Sequence, residues 1–206
     1  MSARGWPVAL AHGPVGVRPL RLRDGPVWVE IRLRNEEWLL PWEATPPGMN
    51  LRGSWAQRQS FGVFRTMHRA LRRQARAGLA LPLAITVHDR LVGQMTVSGI
   101  SRGAFQSAFV GYWVDSLVAG RGVTPTALSL VVDHCFGAAG LHRIEANIRP
   151  ENVASKRVVE KLGFRNEGLR PRLLSIDGAW RDHLSYALTA EDVPGGLLRR
   201  WAVLRP

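Results

Sequence analysis

The chain is poor in three residue types and lacks one kind of segment, and each shortage closes off a class of protein. Cysteine occurs once, as Cys135. A single thiol excludes an internal disulfide and a cysteine-built metal cluster, and its place in the apolar run from Leu128 to Phe136 reads as a buried structural thiol. Acidic residues are outnumbered, 16 against 28 basic ones, which gives a formal charge of +12. Lysine supplies only Lys156 and Lys161 of that basic set, so the positive charge is almost all arginine. No apolar run approaches the roughly 20 residues that a membrane-spanning helix needs, and the N-terminus lacks the charged, apolar, small-residue order of a secretory signal. The reading is therefore a cytoplasmic protein without a membrane partner. No metal site is expected.

What is present suits one globular domain: 206 residues, 46% hydrophobic and 21% charged. No repeat of 20 to 50 residues is visible. Residues 1–14 contain Gly and Pro and are expected to form a loose leader, with a single domain over 15–206. The charge favours encounter with polyanions, so ribosome or rRNA proximity is kept open as a partner. Against it, the chain has no RNP-like motif, and Arg69, Arg72, Arg73 and Arg76 on one helical segment read first as a solvated face.

Patterning predicts an α/β order. Val15, Val17, Leu20 and Leu22 suggest an extended start, after which Asp24 is expected to cap a helix through Pro26 to about Arg34. A short helical turn should hold Trp38 and Leu39. Ser54 is expected to cap a longer helix in which Phe64, Met67, Leu71 and Ala75 recur three and four apart, and Gly78 to end it in a left-handed conformation. Leu83–His88, Leu91–Ile100 and Ser107–Val114 read as an antiparallel meander with Asp89-Arg90 as its first turn. The order then changes to helix, strand, helix, strand, and Asp177-Gly178 suits a tight hairpin before Trp180–Leu188.

Two stretches carry chemistry. Ala119-Gly120-Arg121-Gly122-Val123-Thr124-Pro125 follows a strand and opens a helix, so its amides can face an anion; Thr124 is expected to cap that helix, with Pro125 in its first turn. Glycines in a strand-to-helix turn also have a purely steric reading. The second stretch is Asn152-Val153-Ala154-Ser155, about 30 residues on, in a helix that ends Glu160-Lys161-Leu162-Gly163-Phe164. Together they resemble the acetyl-CoA core of the GNAT superfamily of N-acetyltransferases. The tail Ser175-Ile176-Asp177-Gly178-Ala179-Trp180-Arg181-Asp182-His183, with Arg34, Trp42 and Glu43, is similar to the RimJ-type branch, the ribosomal-protein alanine N-acetyltransferases.

That resemblance implies a mixed, mostly antiparallel sheet of about seven strands flanked by helices and splayed between its fourth and fifth strands, where acetyl-CoA inserts. It implies backbone groups of Trp113 and Val114 on the pantetheine and thioester, and Gly120, Arg121, Gly122, Val123 and Thr124 on the pyrophosphate. Asn152 would face the pantetheine and Ser155 the sulfur, with Asn147 grouped among the cofactor-binding residues; apart from the motif, Asn152 also reads as a helix cap. Two departures stand out. Ala119 replaces a Gln or Arg common in the family, and Val159 occupies the position of a tyrosine that protonates the thiolate, so Ser155 is the substitute acid. Strand alternation puts Arg143, Glu145 and Asn147 on one face, which makes Glu145 the candidate base, against a reading in which it pairs with Arg143.

Trp38, Trp42 and Glu43 are expected to shape the acceptor pocket, with ordinary packing as the competing account. An α-amine titrates near about 7.7 to 8.0 and a lysine near about 10.4, so freeing the neutral amine at pH 7.4 costs about 0.5 against about 4 kcal/mol. The expected reaction is direct acetyl transfer, in a ternary complex, to the N-terminal amine of a protein beginning with Ala or Ser. A small-molecule amine as acceptor and a non-catalytic acyl-CoA-binding module remain the alternatives. Nothing in the sequence sets the oligomeric state.

Overall fold

A computed structural model describes residues 4–45 and 53–204. Eight strands form one sheet in the order β1-β2-β3-β4-β5-β6-β8-β7: β1 Leu10–His12, β2 Val15–Pro19, β3 Ala80–Val87, β4 Arg90–Ser101, β5 Ser107–Val114, β6 Arg143–Ile148, β7 Arg165–Ile176 and β8 Ala179–Thr189. Every pair is antiparallel except β5 with β6. The helices are α1 Gly25–Arg34, α2 Glu36–Leu39, α3 Trp55–Arg58, α4 Phe61–Arg76, α5 Val123–Phe136, α6 Val153–Lys161 and α7 Leu197–Val203.

The expected mixed sheet is present with one strand more than foreseen. That strand is β1, which lies in the stretch expected to be a loose leader; it pairs with β2, and Trp6, Val8 and Leu10 pack on the core. Three apolar side chains and a strand ladder order this segment as any other.

The sheet separates two cores. On one face Met95, Val97, Ile144 and Ala146 meet Ala127, Leu128, Val131 and Cys135 of α5, together with Val159 of α6 and Leu197 and Trp201 of α7. Cys135 is fully buried, and burial pushes its thiol up to about 12. On the other face Trp28 and Ile31 of α1 and Phe64 of α4 close over Ala84 and Leu91.

Local signals held or shifted by small steps. Gly78 has φ +73° and ends α4 as expected, and Asp177 (φ 48°) with Gly178 (φ 74°) makes the β7–β8 hairpin. The β3–β4 turn is His88-Asp89 rather than Asp89-Arg90; both residues have positive φ, 47° and 61°. Ser54 caps the short α3, and Ser60 caps the long α4. Asp24 precedes α1 without capping it by side chain. Its carboxylate turns back instead, accepting from the Arg21 amide at 2.7 Å and from both Arg18 guanidinium nitrogens at 2.8 Å. A charged bidentate partner binds the carboxylate more strongly than a neutral helix-end amide does.

The parallel pair positions the site. β5 and β6 are in register only over Ser107↔Arg143, Ala108↔Ile144 and Phe109↔Glu145. Beyond Phe109 the two strands no longer pair, which is the expected splay, and β6 continues against β8 alone. No helix among the described residues is long and apolar enough to cross a membrane.

Candidate active site

A cavity of about 1150 Å³ opens at the splay. Its walls are the end of β5 (Trp113, Val114), the loop 119–125 at the start of α5, the N-terminus of α6, and the segment carrying Trp38, Trp42 and Glu43. The volume exceeds the roughly 300–1,000 Å³ of ordinary small-ligand pockets and suits a long donor and an acceptor together.

The loop is built on two glycines with left-handed backbone, Gly120 at φ 75° and Gly122 at φ 79°. Gly122 is the N-cap of α5, so Thr124 lies inside the helix and does not cap it. No carbonyl within the helix can accept its first amides, and Pro125 has none to offer. The end therefore presents free N–H groups and the positive pole of the helix toward the cavity, a site for an anion. Arg157 and Lys161 of α6 line the same cavity and add positive charge.

At α6, Asn152 is the N-cap, its Oδ1 accepting from the Ser155 amide at 3.0 Å. Ser155 lines the cavity, and the Tyr112 hydroxyl donates to its carbonyl at 3.4 Å. Burial pushes the Tyr112 phenol well above its ordinary value, so it stays protonated. Val159, at the family's tyrosine position, is wholly buried in the core.

At the other end, Arg32 of α1 is 3% exposed and sits in a cage of three indoles, 5.0 Å from Trp28, 5.0 Å from Trp55 and 5.2 Å from Trp113. Its Nε donates to Gln59 Oε1 at 2.6 Å and its Nη2 to Glu43 Oε2 at 2.5 Å. Burying an ion costs several kcal/mol; three desolvated cation–π contacts at about 2 kcal/mol each and two hydrogen bonds are of the size that offsets it. Arg32 and Glu43 both line the cavity, and Glu43 keeps 34% of its side chain exposed. The Trp38 indole donates to the Val114 carbonyl at 3.1 Å. Arg149 stacks on Trp42 at 5.5 Å and donates to the Pro41 carbonyl at 2.9 Å, tying this segment to the end of β6.

Most expected residues converge: Trp113, Val114, Gly120, Gly122, Val123, Thr124, Asn152, Ser155, Trp38, Trp42 and Glu43 all line the cavity. Arg121, Asn147 and Glu145 do not. Asn147 faces Ser185 across the β6–β8 ladder, and its Oδ1 is buried without a protein partner. Glu145, 3% exposed, gives one oxygen to Arg143 Nε and the other to Arg170 Nη2, each at 2.9 Å. Both of its oxygens are held by guanidinium groups and it does not line the cavity; the pairing with Arg143 is the alternative that the sequence left open. Arg143 also binds Glu167, whose carboxylate is held below its ordinary value chiefly by that bond.

The reading of the sequence missed Arg32 and Tyr112. A signal for Arg32 was there: it stands four residues after Trp28 on one helix, the spacing of side-chain neighbours. Tyr112 gave none, since an aromatic inside a strand usually means packing.

A β5–β6 pair that parts midway, beside a glycine-built helix start and an Asn-capped second helix, is the arrangement of an acyltransferase. The family model described as "Acetyltransferase (GNAT) domain" matches residues 15–165, and the chain belongs to that family. Among relatives, the [ribosomal protein uS5]-alanine N-acetyltransferase of Escherichia coli strain K12 is 30% identical over 192 residues, 91% of this chain and 94% of its own length. The probable N-acetyltransferase YjcK of Bacillus subtilis strain 168 is 44% identical over 104 residues, half of this chain; the match spans 58% of that relative. Among solved structures, Mycobacterium smegmatis RimJ in complex with CoA-disulfide superposes with a TM-score of 0.92 and 41% identity, covering 98% of this chain and 97% of that one. The chain is thus an N-acetyltransferase similar to RimJ.

Proposed function

We propose that this enzyme moves the acetyl group of acetyl-CoA to the α-amine of a protein N-terminus, Ala or Ser, by direct transfer in a ternary complex. The observation that carries the reading is Glu43, a carboxylate fixed at one end of a large cavity by a caged, buried arginine. A carboxylate there attracts an ammonium group, and its bond to Arg32 makes it an anchor rather than a proton acceptor. The relatives' names suggest ribosomal proteins as the acceptor class.

Acetyl-CoA would supply an activated acetyl group: the neutral amine nitrogen bonds the acetyl carbon, the carbon–sulfur bond breaks with its electron pair on sulfur, and the proton that the nitrogen sheds passes through solvent to the thiolate, so that coenzyme A leaves as the thiol. The free amides of Gly122, Val123 and Thr124 would hold the pyrophosphate, and Asn152, whose Oδ1 is engaged by the cap, would offer its Nδ2 to the pantetheine. Backbone N–H groups near Trp113 would stabilise the carbonyl oxygen as charge develops on it. Ser155, on the first turn of α6, would stand by the sulfur and donate to the thiolate. A thiolate of pKa about 8.5 leaves readily, so a weak hydroxyl donor suffices. No strong base is required for an amine that titrates near about 8.

Peptides with a free N-terminal Ala, Ser or Met, set beside N-blocked peptides with one lysine, test the proposal. Acetylation located by mass spectrometry on Ala and Ser termini alone is the expected result. Transfer to free small amines in preference to every peptide would replace it with the small-molecule reading.

A further inference from the structure

The arginines of α4 take no part in this site. From residue 44 to 88 the sequence holds seven arginines and no acidic residue. Five of them, Arg65, Arg69, Arg72, Arg73 and Arg76, lie on α4 and are exposed. At about 100° per residue they fall within one arc of about 100° and rise over about 16 Å of helix. Among the described residues no side chain of the five has a hydrogen-bond or ion-pair partner. Like charges three and four apart disfavour a helix, and a face that serves solubility alone interleaves both signs. A stripe of one sign kept against that cost points to a ligand that supplies the other.

A second cavity, about 410 Å³, adjoins the stripe and shares no lining residue with the active-site cavity. Arg21, Arg72 and Arg76 line it together with Trp6, Leu20 and Pro82. We propose that stripe and cavity together bind single-stranded RNA, with phosphates along Arg69, Arg72, Arg73 and Arg76 and one base seated in the cavity against Trp6. Guanidinium forks match phosphate oxygens in pairs, and an indole beside a basic groove is a stacking platform for a base. A run of Asp and Glu offers no aromatic plane for that cavity, and a bilayer surface cannot enter a concavity. The choice of RNA over DNA rests on the proposed acceptor class, since ribosomal proteins assemble on RNA.

The test is fluorescence anisotropy of a labelled 12-nucleotide single-stranded RNA with the full chain from 50 to 200 mM salt, without acetyl-CoA or acceptor. Failure there leaves acetyl transfer untouched. With four arginines engaged, log Kd should rise with log salt with a slope of about 2.8. The variant R69Q/R72Q/R73Q/R76Q should lose at least about tenfold in affinity at 50 mM salt and most of the slope, while acetylating a free peptide as the parent does. Trp6→Leu should weaken binding about tenfold with the slope kept; should that variant not fold, the arginine variant, changed only at exposed positions, decides alone. No RNA binding at 50 mM salt, an unaffected arginine variant, or tighter binding of poly-glutamate or phosphatidylglycerol vesicles would overturn the proposal.

Discussion

At the scale of single residues, the cavity sorts its carboxylates by what holds them. Glu43 is fixed by one arginine and faces open space; Glu145 is fixed by two and faces none. The two should therefore fail differently. Glu43→Gln keeps a hydrogen bond to Arg32 and loses the charge that attracts an ammonium group, so the KM for the acceptor peptide should rise about tenfold with kcat and the acetyl-CoA KM little changed. A fall in kcat at unchanged KM would instead give Glu43 a part in the chemistry. Glu145→Gln should leave turnover at pH 7 to 8 intact and cost about 1–3 kcal/mol in urea unfolding, because a buried side chain loses its charged hydrogen bonds to Arg143 and Arg170. Lost turnover at full stability would restore Glu145 as the base.

At the scale of elements, the glycine loop was legible because its purpose is written in backbone. Only glycine takes φ near +75° without strain, so two glycines before an apolar stripe announced a tight turn into α5. A Cβ at Gly120 would meet nothing within 4 Å, so packing does not demand a glycine there. Gly120→Ala should then cost about 1–2 kcal/mol for the left-handed backbone and weaken acetyl-CoA binding by more than tenfold in calorimetry, as the amides of the loop move. Side-chain roles were less legible than backbone ones. Asp24 and Thr124 have the right chemistry for caps, yet a nearby guanidinium captured the first, and Gly122 began the helix two residues ahead of the second. The Arg32 cage draws Trp28, Trp55 and Trp113 from two helices and a strand, and such a meeting exists only once the chain has folded. Glu145 shows the same limit in part: the sequence gave its face and the pairing with Arg143 as an alternative, while Arg170 reaches it from β7 only once the chain has folded.

At the scale of the whole molecule, the layer of α1 and α4 must stay in register with the half that carries the glycine loop, and a polar joint holds them. Asp115, directly after β5, is 3% exposed and accepts from Arg34 and from Asn35 Nδ2, while Asn35 Oδ1 accepts from the Ser116 amide at 3.0 Å. Burial works against the Asp115 charge, but Arg34, Asn35 and the Leu117 amide more than offset it and hold the carboxyl below its ordinary value. A carboxylate so depressed binds fewer protons in the folded state than in the unfolded one. Its contribution is complete above the unfolded value of about 3.9 and is lost as pH falls through the lower folded value. Asp115→Asn should therefore be less stable than the parent at pH 7, and the gap between their urea midpoints should close as pH is taken from 5 toward 2. The same variant should bind acetyl-CoA more weakly at pH 7, since the joint sets the start of the loop through Ser116. A gap that stays constant across that range would mean that the Asp115 charge adds nothing beyond shape, and that α1 holds the loop by packing alone.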